Sequence, residues 1–398
     1  MQWADGNIGP VDDFLVPRVV RGPFPKRKVP FDGENLVVAR RFSLSNPGHA
    51  LDEMGFALFT LMYTWLEKIG VRVDEGTVYE KMRDARFQLF LNDTCVDEGY
   101  NEKGVFFSNA SPEDLNIAAY TSYGLKRLCE KFTSKIIAPL FDSYFERKNA
   151  RETFPSGTAC FANVFAGISQ LNIYQYPYLH EHALGPDEDI RAKRLYRAYT
   201  YYQHGKALPY IRGPHILLLK KVGKQNFSNY PEIEAYLRSN WTEAEACGWP
   251  VKVSTLDPAT VSVADQLDIL STTSVMIAPA GAVAIASFFL PDGAAVISGQ
   301  LCSLLPSGVP PNEVQPHQLL PEAFCHNHEI KLLYRRHTYV HWMVYQTPVF
   351  PEDMTPSQSD SGKDNDRRWM DYRVKIDVLH PYVHAAMRRW VDTCDVAV

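Results

Sequence analysis

The stretch VMIAPAGAVAIASFFLPDGAAVIS, residues 275–298, decides the fold class. It contains two short apolar runs that end at Pro279 and Pro291, with Gly281 between them. A buried strand, a turn, a helix and a second buried strand explain it better than a membrane span, because Pro279 and Gly281 interrupt it, and its Ser and Ala make it less apolar than a bilayer span requires. The alternation continues towards the N-terminus in the predicted strands and helices His215–Val222, Tyr230–Ser239, Val251–Leu256 and Val263–Ser271. Alternating strands and helices predict a parallel sheet with covering helices, an α/β fold.

The N-terminal half shows the same alternation less regularly. A helix is predicted over residues 47–69, closed by Gly70, since apolar residues recur there at helical spacing. These residues are Leu51, Met54, Leu58, Leu61, Met62 and Trp65. Strands are predicted at Phe87–Leu91 and Ala159–Ile168. The chain therefore divides into an extended arm (1–30), an N-terminal domain (31–208), a C-terminal domain (209–372) and a terminal helix (373–398).

The terminal helix is predicted to leave the C-terminal sheet and return to the N-terminal domain. Its apolar residues continue beyond the expected end of that sheet, at Ile376, Leu379, Val383, Met387 and Trp390. These positions share one face of a helix, which must be buried against something. We therefore expect the two domains to be coupled through this helix.

Composition excludes several classes of protein. The 398 residues are 45% hydrophobic, and 41 Lys plus Arg stand against 46 Asp plus Glu, a net charge of -5. This composition indicates a globular protein, and the absence of a basic excess predicts no nucleic-acid partner. The seven cysteines are scattered and form no C-x-x-C pair, so neither a zinc ribbon nor a disulfide scaffold is expected. The first twelve residues lack the pattern of a secretory signal, and we expect no membrane span in the chain.

A basic cluster follows the strand predicted at His215–Val222. It contains Lys220, Lys221 and Lys224, with Asn226 beside them. Ligands bind parallel sheets at the carboxyl ends of strands, where lysines can neutralise a diphosphate. A solvated basic loop is the simpler alternative from charge alone.

A second candidate segment is Ala280-Gly281-Ala282-Val283, where a strand turns directly into a helix. Small residues let a ligand approach the backbone, and the amides of a helix N-terminus favour a negative charge. The segment is neither a G-x-G-x-x-G nor a Walker motif. Tight packing of the helix on its strand is the alternative.

Together these segments resemble glycosyltransferase family 61 over residues 38–298. The family has a basic cluster, an Asn-x-x-Glu that opens a helix, a Gln-bearing helix, a His-Gly-Ala turn and a Phe-Leu-Pro-x-Gly-Ala segment. The corresponding residues here are Lys220, Lys221 and Lys224, Asn229 and Glu232, Gln266, Ala280-Gly281-Ala282 and the segment 289–294. Ala280 stands where many members carry the turn His, and Lys replaces the commoner Arg. The chain thus resembles a divergent member.

The N-terminal half matches the family's Asn-x-x-His motif, which an acidic residue follows closely. Here the motif is Asn46-Pro47-Gly48-His49, with Asp52 and Glu53 one helical turn later. An imidazole suits a general base that takes the proton of an acceptor hydroxyl. Either His49 is the base, or one of the carboxylates is the base and His49 orients it. A structural His at a helix start is the alternative.

The resemblance implies a GT-B enzyme, with two Rossmann-like domains that face a cleft. The N-terminal domain would bind a glycan or glycoprotein acceptor, and the C-terminal domain a nucleotide-sugar donor. We expect an inverting transfer of a pentose such as xylose, or of N-acetylglucosamine, from a UDP-sugar that serves as co-substrate without a further cofactor. No Asp-x-Asp follows a strand and Cys325–Glu329 lacks zinc spacing, so no metal is expected. The lysine side chains would neutralise the diphosphate in place of a metal ion.

Two other functions remain open. One is a GT-B enzyme of the O-fucosyltransferase kind, which uses a guanosine donor. The other is a glycan-binding protein on the same fold without catalysis, suggested by Ala280. Compartment is also open, because four Asn-x-Ser/Thr acceptors occur, at Asn92, Asn109, Asn226 and Asn240. Since a glycan on Asn226 would block the lysines, the cytoplasm is favoured, with the ER or Golgi lumen and a removed anchor as the alternative.

Overall fold

The computed structural model describes residues 33–39, 41, 48, 50–92, 94–95, 125–146, 149–154, 159–166, 186–221, 226–239, 241, 244–245, 248–279, 281–303, 324–325, 338–349, 353–356 and 370–391. The chain divides into two compact units, Met1–Tyr199 and Thr200–Val398. The division lies earlier than the predicted one after residue 208, within a helix. The expected arm at residues 1–30 lies outside the described part.

The first unit contains a four-stranded parallel sheet. Its strands are β1 (Gly33–Ala39), β2 (Phe87–Leu91), β3 (Ser143–Glu146) and β4 (Phe161–Ala166), in the order β3-β2-β1-β4. Its α-helices are α1 (Ala57–Lys68), α2 (Val78–Asp84), α3 (Leu125–Phe132), α4 (Ala150–Thr153) and α5 (Pro186–Gln203), which runs into the second unit. The prediction of β2 is confirmed residue for residue, while β3 was not predicted.

The helix predicted over residues 47–69 consists of two forms. Ala50–Phe56 is a π-helix, and α1 continues from it to Lys68, where Gly70 follows at a φ of 87°. A Cβ on Gly55 would lie 2.7 Å from the Tyr196 hydroxyl, so glycine permits the close approach of α5. Phe59 packs on Tyr196 and Tyr199 of α5 at centroid distances of 5.2 and 5.6 Å. Aromatic packing therefore holds this helix in the core.

A disulfide joins Cys95, which follows β2, to Cys129 in α3. Both cysteines are buried. The sequence reasoning missed this bridge, because 34 residues separate the two cysteines and neither belongs to a spacing motif. The expectation that the cysteines serve no disulfide is therefore corrected at this one pair.

The second unit contains a six-stranded sheet in the order β10-β8-β7-β5-β6, with β9 beside β8. The strands are β5 (His215–Leu219), β6 (Lys252–Leu256), β7 (Val275–Ala278), β8 (Ala295–Ser303), β9 (Phe324–Cys325) and β10 (His341–Val349). All described pairings are parallel except that of β9 with β8. Every residue of β5 and β7 is buried, as in a sheet covered on both faces. The predicted α/β class with parallel sheets is confirmed.

Helices and a small two-stranded sheet complete this unit. They are α6 (Tyr230–Ser239), α7 (Val263–Ser271), a 3₁₀-helix (Ala282–Phe289), the antiparallel pair β11 (Met354–Pro356) and β12 (Met370–Tyr372), and α8 (Ile376–Val391). The bounds predicted for α6, α7 and β7 are confirmed. The helix after β7 is 3₁₀ rather than α, and β10 was not predicted.

The structure corrects the packing predicted for the terminal helix α8. Leu379, Val383, Met387 and Trp390 lie in one buried cluster with Ile216 and Leu218 of β5 and Ile277 of β7, to which α6 also contributes. The Tyr236 hydroxyl lies 2.8 Å from His380 Nδ1 and ties α6 to α8. The apolar face of α8 thus covers the sheet of its own unit, instead of leaving it. The sequence reasoning erred because it placed the end of this sheet before β10.

Candidate functional site

The sheet of the second unit reverses its strand order beside β5. Strand β5 pairs with β6 on one side and with β7 on the other, and β7 pairs with β8. The chain therefore leaves β5 in one direction across the sheet and leaves β7 in the other. The carboxyl ends of β5 and β7 form a topological switch point, where ligands bind in open α/β sheets. Lys220 and Lys221 follow β5, and Gly281 follows β7. The structure thus brings both predicted donor segments to one edge.

Lys220 and Lys221 are half-buried and occupy the start of the loop after β5. The Lys220 amide donates to the Leu256 carbonyl at 2.7 Å, which fixes its backbone to the end of β6. Its ammonium lies 5.6 Å from the centroid of the Tyr230 ring, within cation–π range. Lys220 is therefore held against α6. Lys224 lies outside the described residues.

Asn226 closes this loop at its other end. Its Nδ2 donates to the Lys221 carbonyl at 2.6 Å, and its Oδ1 accepts from the Phe227 amide at 3.0 Å. The Tyr230 hydroxyl lies 2.6 Å from Asn226 Oδ1 and 3.1 Å from the Leu219 carbonyl. Burial raises the pKa of Tyr230, so this phenol remains neutral. Asn226 is thus part of the framework that shapes the lysine loop.

Asn229 contacts the C-terminal part of the unit. Its Nδ2 donates to the Val374 carbonyl at 2.9 Å, and its Oδ1 accepts from the Val374 amide at 2.9 Å. It also donates to Glu232 at 3.0 Å, and this hydrogen bond is the main cause of the lowered pKa of Glu232. In this structure the amide therefore joins two chain segments.

Gln266 lies in the first turn of α7 and holds the loop after β6. Its Nε2 donates to the Pro258 and Val261 carbonyls at 3.0 and 2.8 Å. Because β6 is the strand next to β5, this loop lies at the same end of the sheet as the lysines. The structure places Gln266 as a support of that edge.

The turn after β7 depends on glycine. Gly281 has a φ of 98°, a conformation that strains any residue with a Cβ. Its carbonyl accepts from the Ala284 amide at 3.0 Å and so begins the 3₁₀-helix, in which Val283 is half-buried. Ala280 lies outside the described residues, and only the backbone of Ala282 is described. The residue type at Gly281 is therefore explained by the turn itself.

The predicted catalytic segment runs into the π-helix Ala50–Phe56, one of two π-helices described in the first unit. Asp52 and Glu53 lie within Ala50–Phe56, but their side chains, like His49 as a whole, lie outside the described part. The expectation rested on α-helical spacing, whereas hydrogen bonds in a π-helix run to the fifth residue. π-Helical turns are rare in proteins, but those that occur often lie at functional sites. Nothing in the residue pattern indicated this form.

A buried ion pair at the carboxyl edge of the first sheet was missed. Arg41 follows β1, and its fully buried side chain pairs with Glu146, the last residue of β3. Arg41 Nε also donates to the Thr133 hydroxyl at 3.2 Å. No spacing motif in the sequence links Arg41 to Glu146, because 105 residues separate them.

Neither a metal-binding cluster nor a membrane-spanning helix occurs among the described residues. Within that part of the chain, no three His, Cys, Asp or Glu residues are grouped so that they could hold a metal ion. None of its helices is both long and apolar enough to cross a bilayer. Cys325 is described in β9, but residues 326–329 of the candidate metal segment are not.

With parallel sheets in both units and motif residues of two segments at one switch point, the chain has the architecture of an α/β enzyme. The family model of Glycosyltransferase 61 matches residues 48–297, more than half of the chain. The chain therefore belongs to glycosyltransferase family 61 and is a glycosyltransferase, which confirms the resemblance drawn from its motifs.

Among solved structures, the chain is similar to the E. coli heptosyltransferase WaaC with ADP, at 9% sequence identity and a TM-score of 0.30. That match covers 90% of this chain and 99% of the other. No curated protein matches the chain.

Proposed function

We propose that this enzyme is an inverting transferase that moves a sugar, xylose or N-acetylglucosamine, from a UDP-sugar to a hydroxyl of a glycan or glycoprotein. The observation that carries the proposal is the switch point of the second sheet. There the loop after β5 brings Lys220 and Lys221, and the turn after β7 brings Gly281. Cations beside a small-residue turn suit a diphosphate, because each charge-assisted hydrogen bond contributes roughly 1.5–3 kcal/mol.

In the proposed site the lysines neutralise the diphosphate without a metal ion. Lys221 and Lys224 are the principal cations, because the ammonium of Lys220 already rests over the Tyr230 ring. The backbone N–H groups at Gly281–Val283 donate hydrogen bonds to further negatively charged oxygens of the sugar-donor diphosphate. Asn226, Asn229 and Gln266 shape the loops around it through the hydrogen bonds described above.

The proposed reaction is a single displacement. The acceptor oxygen attacks the anomeric carbon while the bond from that carbon to the diphosphate oxygen breaks. The nucleoside diphosphate leaves with the electron pair of that bond, and a base takes the proton of the acceptor hydroxyl. We assign the base to His49 or to one of the carboxylates of Asp52 and Glu53. One displacement inverts the configuration of the sugar.

Calorimetry with UDP and GDP tests the donor site. We expect UDP to bind and Lys221→Ala to weaken binding by about ten-fold or more. Lys252→Ala is the matched control, because Lys252 is an exposed lysine at the amino end of β6, at the opposite edge of the same sheet. Equal affinities in the wild type, Lys221→Ala and Lys220→Ala would contradict the assignment.

The same titration separates the alternative functions. Preference for GDP would favour the enzyme of the O-fucosyltransferase kind. Binding of UDP without any hydrolysis or transfer of UDP-xylose or UDP-N-acetylglucosamine would favour a non-catalytic glycan-binding protein. Release of UDP together with an inverted glycosidic linkage supports the proposed transferase.

For the compartment, we propose the secretory lumen rather than the cytoplasm that the sequence favoured. The Cys95–Cys129 disulfide supports this, since disulfides persist in oxidising compartments and are rare in the cytosol. Peptide mass spectrometry of the native protein under non-reducing conditions tests it. A cross-linked Cys95–Cys129 peptide is expected, whereas two free thiols in active enzyme would return the proposal to the cytoplasm.

A further inference from the structure

A short segment from near the C-terminus lies along the loop that carries the lysines. This clamp segment is Asp371–Val374, which starts within β12 and ends before α8, and it meets residues Asn226–Asn229 after β5. The Tyr372 amide donates to the Asn226 carbonyl at 2.9 Å, and the Ser228 amide donates to the Tyr372 carbonyl at 2.9 Å. These two hydrogen bonds make a parallel bridge between Phe227 and Tyr372.

Side chains extend this bridge at both ends. Asp371 Oδ1 accepts from the Asn226 amide at 2.9 Å, across 145 residues of sequence. At the other end, Asn229 exchanges two hydrogen bonds with the backbone of Val374. Between them, the buried rings of Phe227 and Tyr372 meet edge to face at 5.5 Å. The clamp segment therefore fixes the backbone amide and carbonyl of Asn226, and it also packs on the adjacent Phe227.

Asn226 transmits this restraint to the lysines. Its Nδ2 bond to the Lys221 carbonyl spans the base of the loop that contains Lys224. Lysine side chains and loops lose conformational entropy when they order around a ligand, and a fixed loop base reduces that cost. A carboxylate that accepts a backbone amide makes a stronger hydrogen bond than a neutral acceptor.

We propose that Asp371 is a positioning residue, which holds the lysine loop in the geometry that binds the donor diphosphate; this rests on the proposed function. Asp371 acts through Asn226 and does not touch the donor. Asn226 and Asn229, which the sequence suggested as donor contacts, belong to the same support. The clamp segment thereby couples the start of α8 to the donor site.

The test measures the affinity for UDP, or for GDP if only GDP binds the wild type, together with donor KM and kcat. Asp371→Ala should weaken nucleotide binding and raise donor KM by about ten-fold with kcat nearly unchanged. Asp371→Asn keeps an Oδ1 acceptor and should remain within about three-fold of the wild type. Asn226→Ala removes the link to Lys221 and should resemble Asp371→Ala, which keeps the test open if Asp371→Ala does not fold.

Asp353→Asn is the matched control. Asp353 pairs with Lys375 at 3.0 Å, directly after the clamp segment, so this change also replaces a carboxylate there but leaves the Asn226 contact intact. It should change thermal stability and leave nucleotide affinity as in the wild type. The inference is overturned if Asp371→Ala and Asn226→Ala bind nucleotide normally, or if Asp353→Asn weakens binding as much as they do. A wild type that binds neither UDP nor GDP overturns the proposed function itself.

Discussion

The two sheets share a plan but differ in what lies at their switch points. In the first unit, β1 lies between β2 and β4, and in the second, β5 lies between β6 and β7. In both, the first strand of the unit borders the reversal of strand order. After β1, however, the buried Arg41 is paired with Glu146, whereas after β5 the half-buried Lys220 lies over an aromatic ring. The two edges therefore differ in the partner of the cation, which is a carboxylate after β1 and an aromatic ring after β5.

The largest expected effect concerns the catalytic segment proposed for the first unit. His49→Ala should lower kcat by roughly 10²–10⁴, because the acceptor proton loses its base, and should leave UDP affinity unchanged. Steady-state kinetics and calorimetry on one preparation measure both. Asp52→Asn and Glu53→Gln complete the set, and normal turnover in His49→Ala would transfer the role to the carboxylate whose loss abolishes activity. If His49→Ala instead weakened UDP binding, the proposed separation of the catalytic segment from the donor site would fail.

The buried pair at the first edge provides the next effect. Arg41→Ala should reduce the free energy of unfolding by about 3–5 kcal/mol, because it leaves Glu146 charged and largely buried. Denaturant unfolding measures this loss. The double variant Arg41→Met with Glu146→Leu should recover most of the stability, since it removes both charges. Stability of Arg41→Ala equal to that of the wild type would show that the pair does not support this edge.

The disulfide should stabilise the first unit by a somewhat smaller amount. Cys95→Ser with Cys129→Ser opens a loop whose ends are 34 residues apart, and the expected loss is about 3.8 kcal/mol from chain entropy. Hydrogen exchange should show faster exchange in β1 and β2 and unchanged exchange in β5 and β7. The matched control is Cys160→Ser, because Cys160 is a cysteine of the same unit that lies outside this disulfide. Equal acceleration in both sheets would contradict an effect confined to the first unit.

The smallest expected effect is a difference in acid stability. Burial, together with the positive charge of Lys252, lowers the pKa of His215 to about 4. Its Nδ1 lies 3.0 Å from the Thr272 hydroxyl, and its Nε2 lies 2.9 Å from the Ser254 hydroxyl. The folded pKa lies below the usual value near 6.5, so the unfolded chain binds the proton first. The stability contribution is complete above about pH 6.5 and is lost as the pH falls towards 4.

The first sheet has a non-titrating counterpart at the same end. Asn35 in β1 donates to the Ala85 carbonyl at 2.5 Å and accepts from Asn163 at 2.9 Å. His215→Asn should therefore flatten the acid dependence of β5 exchange and leave that of β1 unchanged. Hydrogen exchange at a series of pH values measures both. An unchanged slope for β5 would exclude His215 as the cause.

Much of the second unit could be predicted because its elements are local. The bounds of α6, α7 and β7 follow from periodicity and from apolar runs that end at turn residues. The edge strand β10 was missed, because its sequence mixes His, Gln and Pro with apolar residues. The π-helix Ala50–Phe56 and the 3₁₀-helix after β7 were also missed. Their apolar spacing resembles that of an α-helix, so the sequence pattern alone does not distinguish the helical forms.

The candidate site shows the same division. The sequence by itself determined the residue types, namely lysines after one strand and a glycine turn after another, and with them the family. Only the tertiary structure decided that β5 and β7 are neighbours, that α8 covers their sheet, and that Asp371 holds Asn226. The physical reason is the distance along the chain over which each kind of interaction acts. Periodicity and turn chemistry act between residues a few positions apart, whereas strand order and the Asp371 contact arise when distant segments bury shared surface.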